Sequence, residues 1–250
     1  MSGRLAGRRA IVTGADSGFG LGIAQAFAAE GAHVVIADRD GPAGTAAAAA
    51  IGPAAHAIAC DVADGASVAA MAQGALGWLG GLDLLVNNAG VPQRPGPLEA
   101  LDEAAFDRIA AVNMKGIYLT ARALVPALAD SPAPAILNIA STAGVSPRPG
   151  LAWYNASKAW VIGATRAMAI ELAPRRIRVN AINPVAGETP MLAEFMGGDT
   201  PETRARFLAS IPLGRFSTPA DIAAAAVYLC SAEAGLVTGV ALNVDGGRCI

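Results

Sequence analysis

The sequence predicts an α/β fold: a doubly wound parallel seven-stranded sheet with helices on both faces. Short apolar runs alternate along the whole chain with longer Ala-rich segments of helical character, which is the order of parallel strands joined by helical crossovers. Hydrophobic residues make up 54% of the 250 residues and charged residues 15%, so a well-buried interior is expected. No linker or further repeat interrupts the alternation, and a single domain is predicted for residues 1–250.

Charge and cysteine content argue against several classes of protein. The net charge of -2 and the absence of a long basic run disfavour nucleic acid or an anionic membrane as a partner. Gly, Pro or a charged residue interrupts each apolar run before the about 18 residues of a membrane span, and residues 1–9 lack the apolar core of a signal peptide. Three widely spaced cysteines without a CxxC pair indicate reduced thiols, no metal site and a cytoplasmic protein. His33 and His56 are expected to be packed residues.

The first strand, loop and helix predict a phosphate-binding turn. Ala10–Thr13 is the strand, and Leu21–Glu30 is the helix. Glycines between them permit a tight turn and close approach to a pyrophosphate, and the helix N-terminus offers N–H groups to phosphate. An ordinary βα turn also uses glycine, so the prediction of a dinucleotide site depends in addition on the strand that follows. The loop residues predicted to bind a dinucleotide are Gly14, Asp16, Ser17, Gly18, Phe19 and Gly20.

The second strand, His33–Ala37, ends in the acid Asp38, which lies 18 positions after Gly20 (38 − 20). This separation suits a carboxylate that bonds the adenosine ribose hydroxyls. Such a carboxylate would repel a 2′-phosphate, and the glycine loop contains no basic residue. Both features favour NAD over NADP. Arg39 is the contrary observation, since an arginine there could pair with a 2′-phosphate, but Asp38 is given more weight.

The next two strands also end in residues suited to a ligand. A short helix over Thr45–Ile51 and a strand over Ala54–Cys60 precede Asp61, which either bonds the adenine amino group or caps the helix Asp64–Leu79. After the strand Leu82–Val86, two amides and small residues indicate backbone close to a ligand, although a simple turn would also use them. The cofactor residues predicted in these turns are Asp61, Val62, Asn88, Ala89 and Gly90.

Four polar residues after the predicted strand Leu82–Val86 are candidates for chemistry. Asn113 lies inside a predicted long helix, Asp102–Ala129, where its amide serves either a water chain or the backbone. Ser141 follows the strand Ala135–Ala140. The other two, Tyr154 and Lys158, are considered next.

Tyr154 and Lys158 are one turn apart on a predicted helix that runs to about Ala173, so they share a face. A nearby ammonium favours the phenolate and lowers the pKa of a phenol, which makes the pair a candidate general acid/base. An isolated Tyr and Lys at this spacing would be an incidental surface pair. The preceding dinucleotide loop makes the catalytic interpretation the better one.

After the sixth strand, Ile177–Ile182, the chain is expected to be irregular as far as Ser210. Residues 185–215 are predicted to form a substrate lid, because an apolar stripe follows a strand end, although such a stripe is more often ordinary core. A helix over Pro219–Cys230 and a strand over Ala241–Val244 complete the sheet. The stripe consists of Met191, Leu192, Phe195 and Met196.

In their order, these motifs resemble those of the short-chain dehydrogenase/reductase family over essentially the whole chain. The resemblance implies a Rossmann-type fold and NAD(P)-dependent interconversion of an alcohol and a carbonyl compound. The chain has Pro184-Val185-Ala186-Gly187 where the family usually has Pro-Gly, and Asp16 is unusual in the glycine loop. The matching residues are Thr13-Gly14-x-x-x-Gly18-x-Gly20, Asp61, Asn87-Asn88-Ala89-Gly90, Asn113, Ser141, Tyr154-x-x-x-Lys158 and Asn183-Pro184.

The resemblance also implies roles for the candidate residues. Tyr154 would be the general acid/base. Lys158 would lower its pKa and bond the nicotinamide ribose. Ser141 would hold the substrate oxygen, and Asn113 would support a proton-relay water. The expected nicotinamide contacts are Pro184, Val185 and Thr189.

These roles lead to an NAD-dependent oxidoreductase that interconverts a secondary alcohol and a ketone with an apolar part, cyclic and aromatic groups included. The alternative is a 3-oxoacyl-(acyl-carrier-protein) reductase, which predicts NADPH and a basic patch. A non-catalytic NAD-binding sensor fits less well, because it would not need all four polar residues. By resemblance a homotetramer is expected. The predicted substrate pocket comprises Ser141, Ala143, Trp153, Tyr154, Ala186, Met191, Leu192, Phe195 and Met196.

Overall fold

Seven strands form one parallel sheet in the order β3-β2-β1-β4-β5-β6-β7 within residues 3–250, which are the residues that the computed structural model describes. Met1 and Ser2, part of the segment considered for a signal peptide, lie outside the described residues. The predicted fold class is confirmed. The strands are β1 (Arg9–Thr13), β2 (His33–Asp38), β3 (Ala55–Ala59), β4 (Leu84–Asn87), β5 (Ala135–Ile139), β6 (Arg178–Pro184) and β7 (Ala241–Val244).

Helices cover both faces of this sheet because the strands are apolar on both sides. In β1, Val12 packs into one apolar layer with Phe27 and Ile222, whereas Ile11 packs into the opposite layer with Met71 and Leu124. This is the alternation expected of a buried parallel strand. The α-helices are α1 (Gly18–Ala29), α2 (Gly41–Ile51), α3 (Gly65–Leu79), α4 (Glu103–Ala110), α5 (Gly116–Ala129), α6 (Ala152–Leu172), α7 (Leu192–Met196), α8 (Pro201–Leu208) and α9 (Pro219–Cys230).

The predicted long helix over Asp102–Ala129 is interrupted. A π-helical turn, Ala111–Lys115, separates α4 from α5, and α5 continues past Pro126 to its end. A π turn contains one extra residue and is found mostly at functional sites. The residue at its centre is Asn113, whose contacts are described below.

The predicted irregular stretch after β6 contains two helices, α7 and α8. Thr200 caps α8 by accepting a hydrogen bond from the Thr203 N–H, and the Thr203 side chain bonds back to Thr200. Pro201 occupies the first turn, a position that favours helix initiation. Thr200, Pro201 and Thr203 are a helix start signal that is already present in the sequence.

His33 and His56 are exposed, contrary to the prediction that they are packed. Both rings lie beside Trp78 at the end of α3, with centroid distances of 6.1 and 5.3 Å. β3 is an edge strand, so the helix covers this corner of the sheet incompletely. The three cysteines are unpaired. No helix between residues 3 and 250 is long and apolar enough to cross a membrane.

Candidate active site

A cavity of about 340 Å³ opens at the carboxyl ends of the strands. The cavity lies beside the neighbouring strands β1 and β4. The order of the strands reverses between these two strands, and open α/β sheets bind ligands at such a switch point. Every residue predicted to bind the cofactor lines this cavity except Gly20. The structure therefore brings together groups from the ends of six strands.

Gly20 lies behind the cavity wall, where no side chain fits. A Cβ at this position would overlap the carbonyl oxygen of Gly14 and the side-chain nitrogen of Asn88. Asn88 donates from Nδ2 to the carbonyl oxygens of Thr13 and Gly14, at 2.9 and 2.7 Å. The Thr13 hydroxyl accepts the N–H groups of Asn88 and Ala89, at 3.0 and 3.1 Å. Thr13, to which the sequence analysis gave no role, thus locks the glycine loop to the end of β4.

The N-terminus of α1 faces the cavity without a cap from its own N-cap residue. Ser17 holds that position, but its hydroxyl donates to the Asp16 carboxylate at 2.8 Å. Gly18 and Phe19 line the cavity beside it. Backbone N–H groups and the positive end of the helix dipole at this point suit a phosphate, so this cradle fits the pyrophosphate of a dinucleotide.

Asp38 and Arg39 lie together at the far end of the cavity. The Asp38 carboxylate accepts the N–H groups of Asp16 and Asp40, at 3.1 and 3.2 Å. Partial burial raises the pKa of Asp38. Arg39 is exposed and forms no ion pair within residues 3–250. The fixed carboxylate is the better-placed group for a diol.

Asp61 also lines the cavity, but it does not cap the following helix as one interpretation suggested. Its carboxylate accepts the N–H of Ala63 at 2.9 Å. Asp64 caps α3 instead, accepting from Ala66 and Ser67 at 3.2 and 3.0 Å. The interpretation of Asp61 as an adenine ligand remains a prediction.

Ser141, Tyr154 and Lys158 line one wall of the cavity. Ser141 is held at the end of β5, where its hydroxyl accepts the N–H of Ala143 at 3.1 Å. Lys158 reaches back from α6 and donates from Nζ to the carbonyl oxygen of Ile139 at 2.9 Å. The Lys158 ammonium is 5.9 Å from the centre of the Tyr154 ring. All three side chains are buried.

Burial dominates the ionisation of this pair. It raises the pKa of Tyr154 to about 12, although a hydrogen bond with Ser141 lowers it in part. It lowers the pKa of Lys158 to about 8. With the side chains as the fold places them, removal from water dominates and holds the pKa of Tyr154 above its usual range. The lowering of this pKa by Lys158 remains a prediction. At neutral pH the phenol is protonated and the lysine remains mostly charged.

Asn113 is buried and does not line the cavity. Its Oδ1 accepts the N–H of Val91 at 2.8 Å, and its Nδ2 donates to the Val91 carbonyl and the Ser157 hydroxyl, both at 3.1 Å. A Cβ on Gly90 would lie 3.4 Å from Lys158 Nζ and 3.5 Å from Asn113 Oδ1, so the amide is close to the lysine. The structure thus gives the backbone interpretation, and the relay water remains a prediction.

Three of the nine predicted substrate-pocket residues do not line the cavity. Trp153 turns away on the first turn of α6 and packs edge-on against Phe106, with ring centroids 5.5 Å apart. Ala143 packs beneath Tyr154, and Met196 is buried in the small core of the lid. Helical periodicity could not show which side of each helix faces the cavity. The six that line it are Ser141, Tyr154, Ala186, Met191, Leu192 and Phe195.

The lid closes over the glycine loop at two points. A Cβ on Gly18 would lie 3.3 Å from Thr189 Cβ, and a Cβ on Gly187 would overlap the Phe19 ring. The glycine in Pro184-Val185-Ala186-Gly187 is therefore needed where the lid crosses the loop. Lining residues that the sequence analysis missed are mostly neighbours of predicted ones at strand ends: Cys60, Val91, Val112, Ile139, Ala140, Gly187 and Pro190.

The sheet order, the glycine cradle and the buried Ser-Tyr-Lys wall define a nicotinamide-dependent oxidoreductase of the Rossmann type. A family model described as enoyl-(acyl carrier protein) reductase matches residues 14–248. The chain belongs to the short-chain dehydrogenase/reductase family, whose members bind a nicotinamide cofactor.

Individual relatives are similar over nearly their whole length. The chain is 46% identical to 4-formylbenzenesulfonate dehydrogenase of Comamonas testosteroni, over 96% of both chains. It is 41% identical to galactitol 2-dehydrogenase of Agrobacterium fabrum, over 98% of both. Among solved structures, 3-ketoacyl-(acyl-carrier-protein) reductase from Brucella melitensis complexed with NADH has a TM-score of 0.94 and 50% identity, covering 98% of this chain and 100% of that one.

Proposed function

We propose that this chain is an NAD-dependent oxidoreductase that interconverts a secondary alcohol and a ketone with a largely apolar substituent. One observation supports this function above the others. Ser141, Tyr154 and Lys158 share a wall of the cavity whose far end carries the Asp38 carboxylate. A dinucleotide that binds Asp38 through its adenosine ribose would place its nicotinamide ring beside Tyr154.

In this mechanism the protein supplies position and a proton. The nicotinamide cofactor, when bound, supplies or accepts the hydride. In reduction, the Tyr154 phenol donates its proton to the carbonyl oxygen, which the Ser141 hydroxyl also holds by a hydrogen bond. The charged Lys158 side chain, buried beside the ring, stabilises the phenolate that this transfer leaves.

The burial of Tyr154 makes the rates of oxidation and reduction depend differently on pH. Because its pKa is raised to about 12, the proton donor needed for reduction is present throughout the neutral range. Oxidation needs the phenolate, whose population rises with pH. We therefore expect oxidation to be favoured by alkaline conditions and reduction to persist at neutral pH.

The substrate class follows from the lid. Met191, Leu192 and Phe195 present apolar surface to the cavity, and the Phe195 ring lies edge-on to Tyr154 with centroids 5.5 Å apart. This surface suits a hydrocarbon or aryl group beside the carbonyl carbon. Similarity to a dehydrogenase named for 4-formylbenzenesulfonate supports an aromatic carbonyl compound.

Replacing Tyr154 with Phe tests the mechanism. Loss of a general acid/base typically costs about 10²–10⁴-fold, so kcat for a panel of apolar ketones should fall by that factor while the Kd for NADH stays within about twofold. Tyr228→Phe on α9 is the matched control and should retain parental kcat. A Tyr154→Phe variant as active as the parent would refute the assigned role.

A 3-oxoacyl-(acyl-carrier-protein) reductase is the second candidate, favoured by the name of the Brucella melitensis structure. This hypothesis predicts that the enzyme uses NADPH and has a basic surface patch that binds the acyl carrier protein. Arg94 is exposed, but Arg148 is half-buried against the Phe207 ring, 4.2 Å from its centroid. Calorimetry with NADH and NADPH separates the two: we expect the parent to prefer NADH and Asp38→Ala to lose that preference. NADPH preference in the parent would favour the reductase.

The homotetramer is part of the same proposal. Tyr118 on α5 and Trp160 on α6 are 54% and 39% exposed, more than large aromatic side chains usually are. These two helices therefore present aromatic surface for a contact with another subunit. Light scattering at micromolar concentration should give four times the mass of one chain. A monomer would refute this part.

A further inference from the structure

Gln93 connects the loop after β4 to the beginning of α6. This side chain is only 3% exposed. Its Oε1 accepts the backbone N–H groups of Tyr154 at 2.9 Å and Trp153 at 3.1 Å. Its Nε2 donates to the carbonyl oxygen of Gly150 at 3.3 Å. Both N–H groups need an acceptor, so the orientation of the Gln93 amide is set by its partners.

Helix α6 needs this acceptor because its own N-cap cannot supply one. The N-cap residue is Leu151, whose side chain has no polar atom. The first N–H groups of a helix lack partners within the helix, and in a buried setting each needs one from elsewhere. Gln93, 61 residues before Tyr154, supplies it across the fold.

The loop that carries Gln93 is itself held on both sides. Asn113 fixes the backbone of Val91 by two hydrogen bonds, at 2.8 and 3.1 Å. Beyond Gln93, the N–H of Gly96 donates to the Gly150 carbonyl at 3.0 Å. Three prolines in residues 92–97 restrict the backbone between these points. The amide oxygen of Gln93 is therefore a fixed point and not a mobile surface group.

We propose that Gln93 is a positioning residue for the reaction: by capping α6 from outside, it holds Tyr154 in register with Ser141 and Lys158. The inference rests on the proposed role of Tyr154. The acting atom is Oε1, which carries partial negative charge beside the backbone of that residue. Through its anchor at Val91, the same loop links Asn113 to the first turn of α6, and this link explains why a buried amide lies in the π turn.

The test compares two substitutions at Gln93 with one control. Gln93→Met keeps the length of the side chain and removes the acceptor. It should lower kcat about tenfold, the effect expected for loss of a cap that orients a reacting group, with the Kd for NADH within about twofold of the parent. Gln73→Met, the same substitution at an exposed position of α3, should change neither value.

Gln93→Glu distinguishes positioning from general support of the fold. It retains an acceptor oxygen, so kcat at the optimal pH should recover to within about threefold of the parent. Its negative charge disfavours the phenolate, so the pH profile of alcohol oxidation should move to higher pH. A role in stability alone would instead lower kcat and NADH binding by equal factors in Gln93→Met.

Amide hydrogen exchange of the cofactor-free protein gives a readout that is independent of turnover. In Gln93→Met, the N–H groups of Trp153 and Tyr154 should exchange at least about tenfold faster, whereas Gln93→Glu should preserve their protection. Parental kcat in Gln93→Met would overturn the inference. So would a Gln93→Glu variant as slow as Gln93→Met, or equal loss of NADH binding and kcat. A parent without activity on any ketone would instead refute the proposed function.

Discussion

The glycine loop after β1 and the lid of residues 185–215 line the same cavity and touch each other, but different forces hold them. Directed hydrogen bonds between the loop and the end of β4 fix the loop, with Thr13 accepting and Asn88 donating. Two of its glycines, Gly14 and Gly20, lie against neighbouring backbone. The lid is held by a small core of apolar side chains. Hydrogen bonds at fixed distances tolerate little change, whereas apolar clusters accept exchanges that conserve volume. The cofactor side should therefore be intolerant of substitution and the substrate side adaptable.

Gly20→Ala should have the largest effect. The new Cβ would overlap Gly14 and Asn88, both fixed, so we expect the NADH affinity measured by calorimetry to fall at least about a hundredfold. Gly77→Ala is the matched control, because nothing lies within 4 Å of the new methyl group. That control should keep its affinity and gain about 0.5–1 kcal/mol in unfolding free energy. If Gly20→Ala bound NADH as tightly as the parent, the glycine loop would be no less tolerant of substitution than the lid.

Lys158 lies between the two regions and combines a directed hydrogen bond with apolar burial. Burial lowers its pKa from 10.5 to about 8, so between these values the unfolded chain holds a proton that the folded chain has released. Unfolding free energy must then rise with pH in this window. At about 1.4 kcal/mol per pKa unit, the rise from pH 7 to 10 is about 2.5 kcal/mol.

Urea unfolding of the parent and of Lys158→Met, measured at several pH values, isolates this contribution. The difference between the two should shift in favour of the parent as pH increases, since other titrating groups cancel. A difference that does not vary with pH would show that Lys158 is better solvated than the structure indicates. Burial of Lys158 would then contribute little to the stability of the fold.

Phe195→Leu should have the smallest effect, on selectivity alone. The ring packs edge-on between Tyr154 and Phe207, with centroid distances of 5.5 and 6.0 Å, and aromatic pairs contribute about 0.5–1.5 kcal/mol. Relative kcat/KM between aryl and alkyl ketones should change by less than about tenfold, with NADH affinity unchanged. Phe106→Leu breaks a similar pair outside the cavity and should change neither. Loss of NADH binding in Phe195→Leu would show that the lid is as rigid as the loop.

The sequence predicted the sheet and the cofactor side well because their signals are local. Short apolar runs predicted every strand that the structure describes to within a few residues, and polar residues at strand ends predicted most of the cavity wall. The environment of Tyr154 could not be predicted in the same way. Its pKa depends on burial by residues distant in sequence, and spacing on one helix shows only that Lys158 is near.

The substrate side was predicted less well for a related reason. A stripe of apolar residues does not show whether a side chain faces a cavity or a neighbouring helix, and Trp153 and Met196 do not line the cavity for which they are predicted. Gln93 could have been noticed as a polar residue among prolines. Its partners at the start of α6 lie 61 residues away, and only the folded chain brings them together.

The π turn between α4 and α5 makes the position of Asn113 depend on the exact number of residues in this helical segment. Each residue turns an α-helix by about 100°, so deleting one residue from Ala111–Lys115 would restore a regular helix and rotate Asn113 away from Val91. The deletion would therefore release the proline loop from its anchor on Asn113. Among relatives, gains and losses of single residues should therefore be rarer in this turn than in the loops on either side of it.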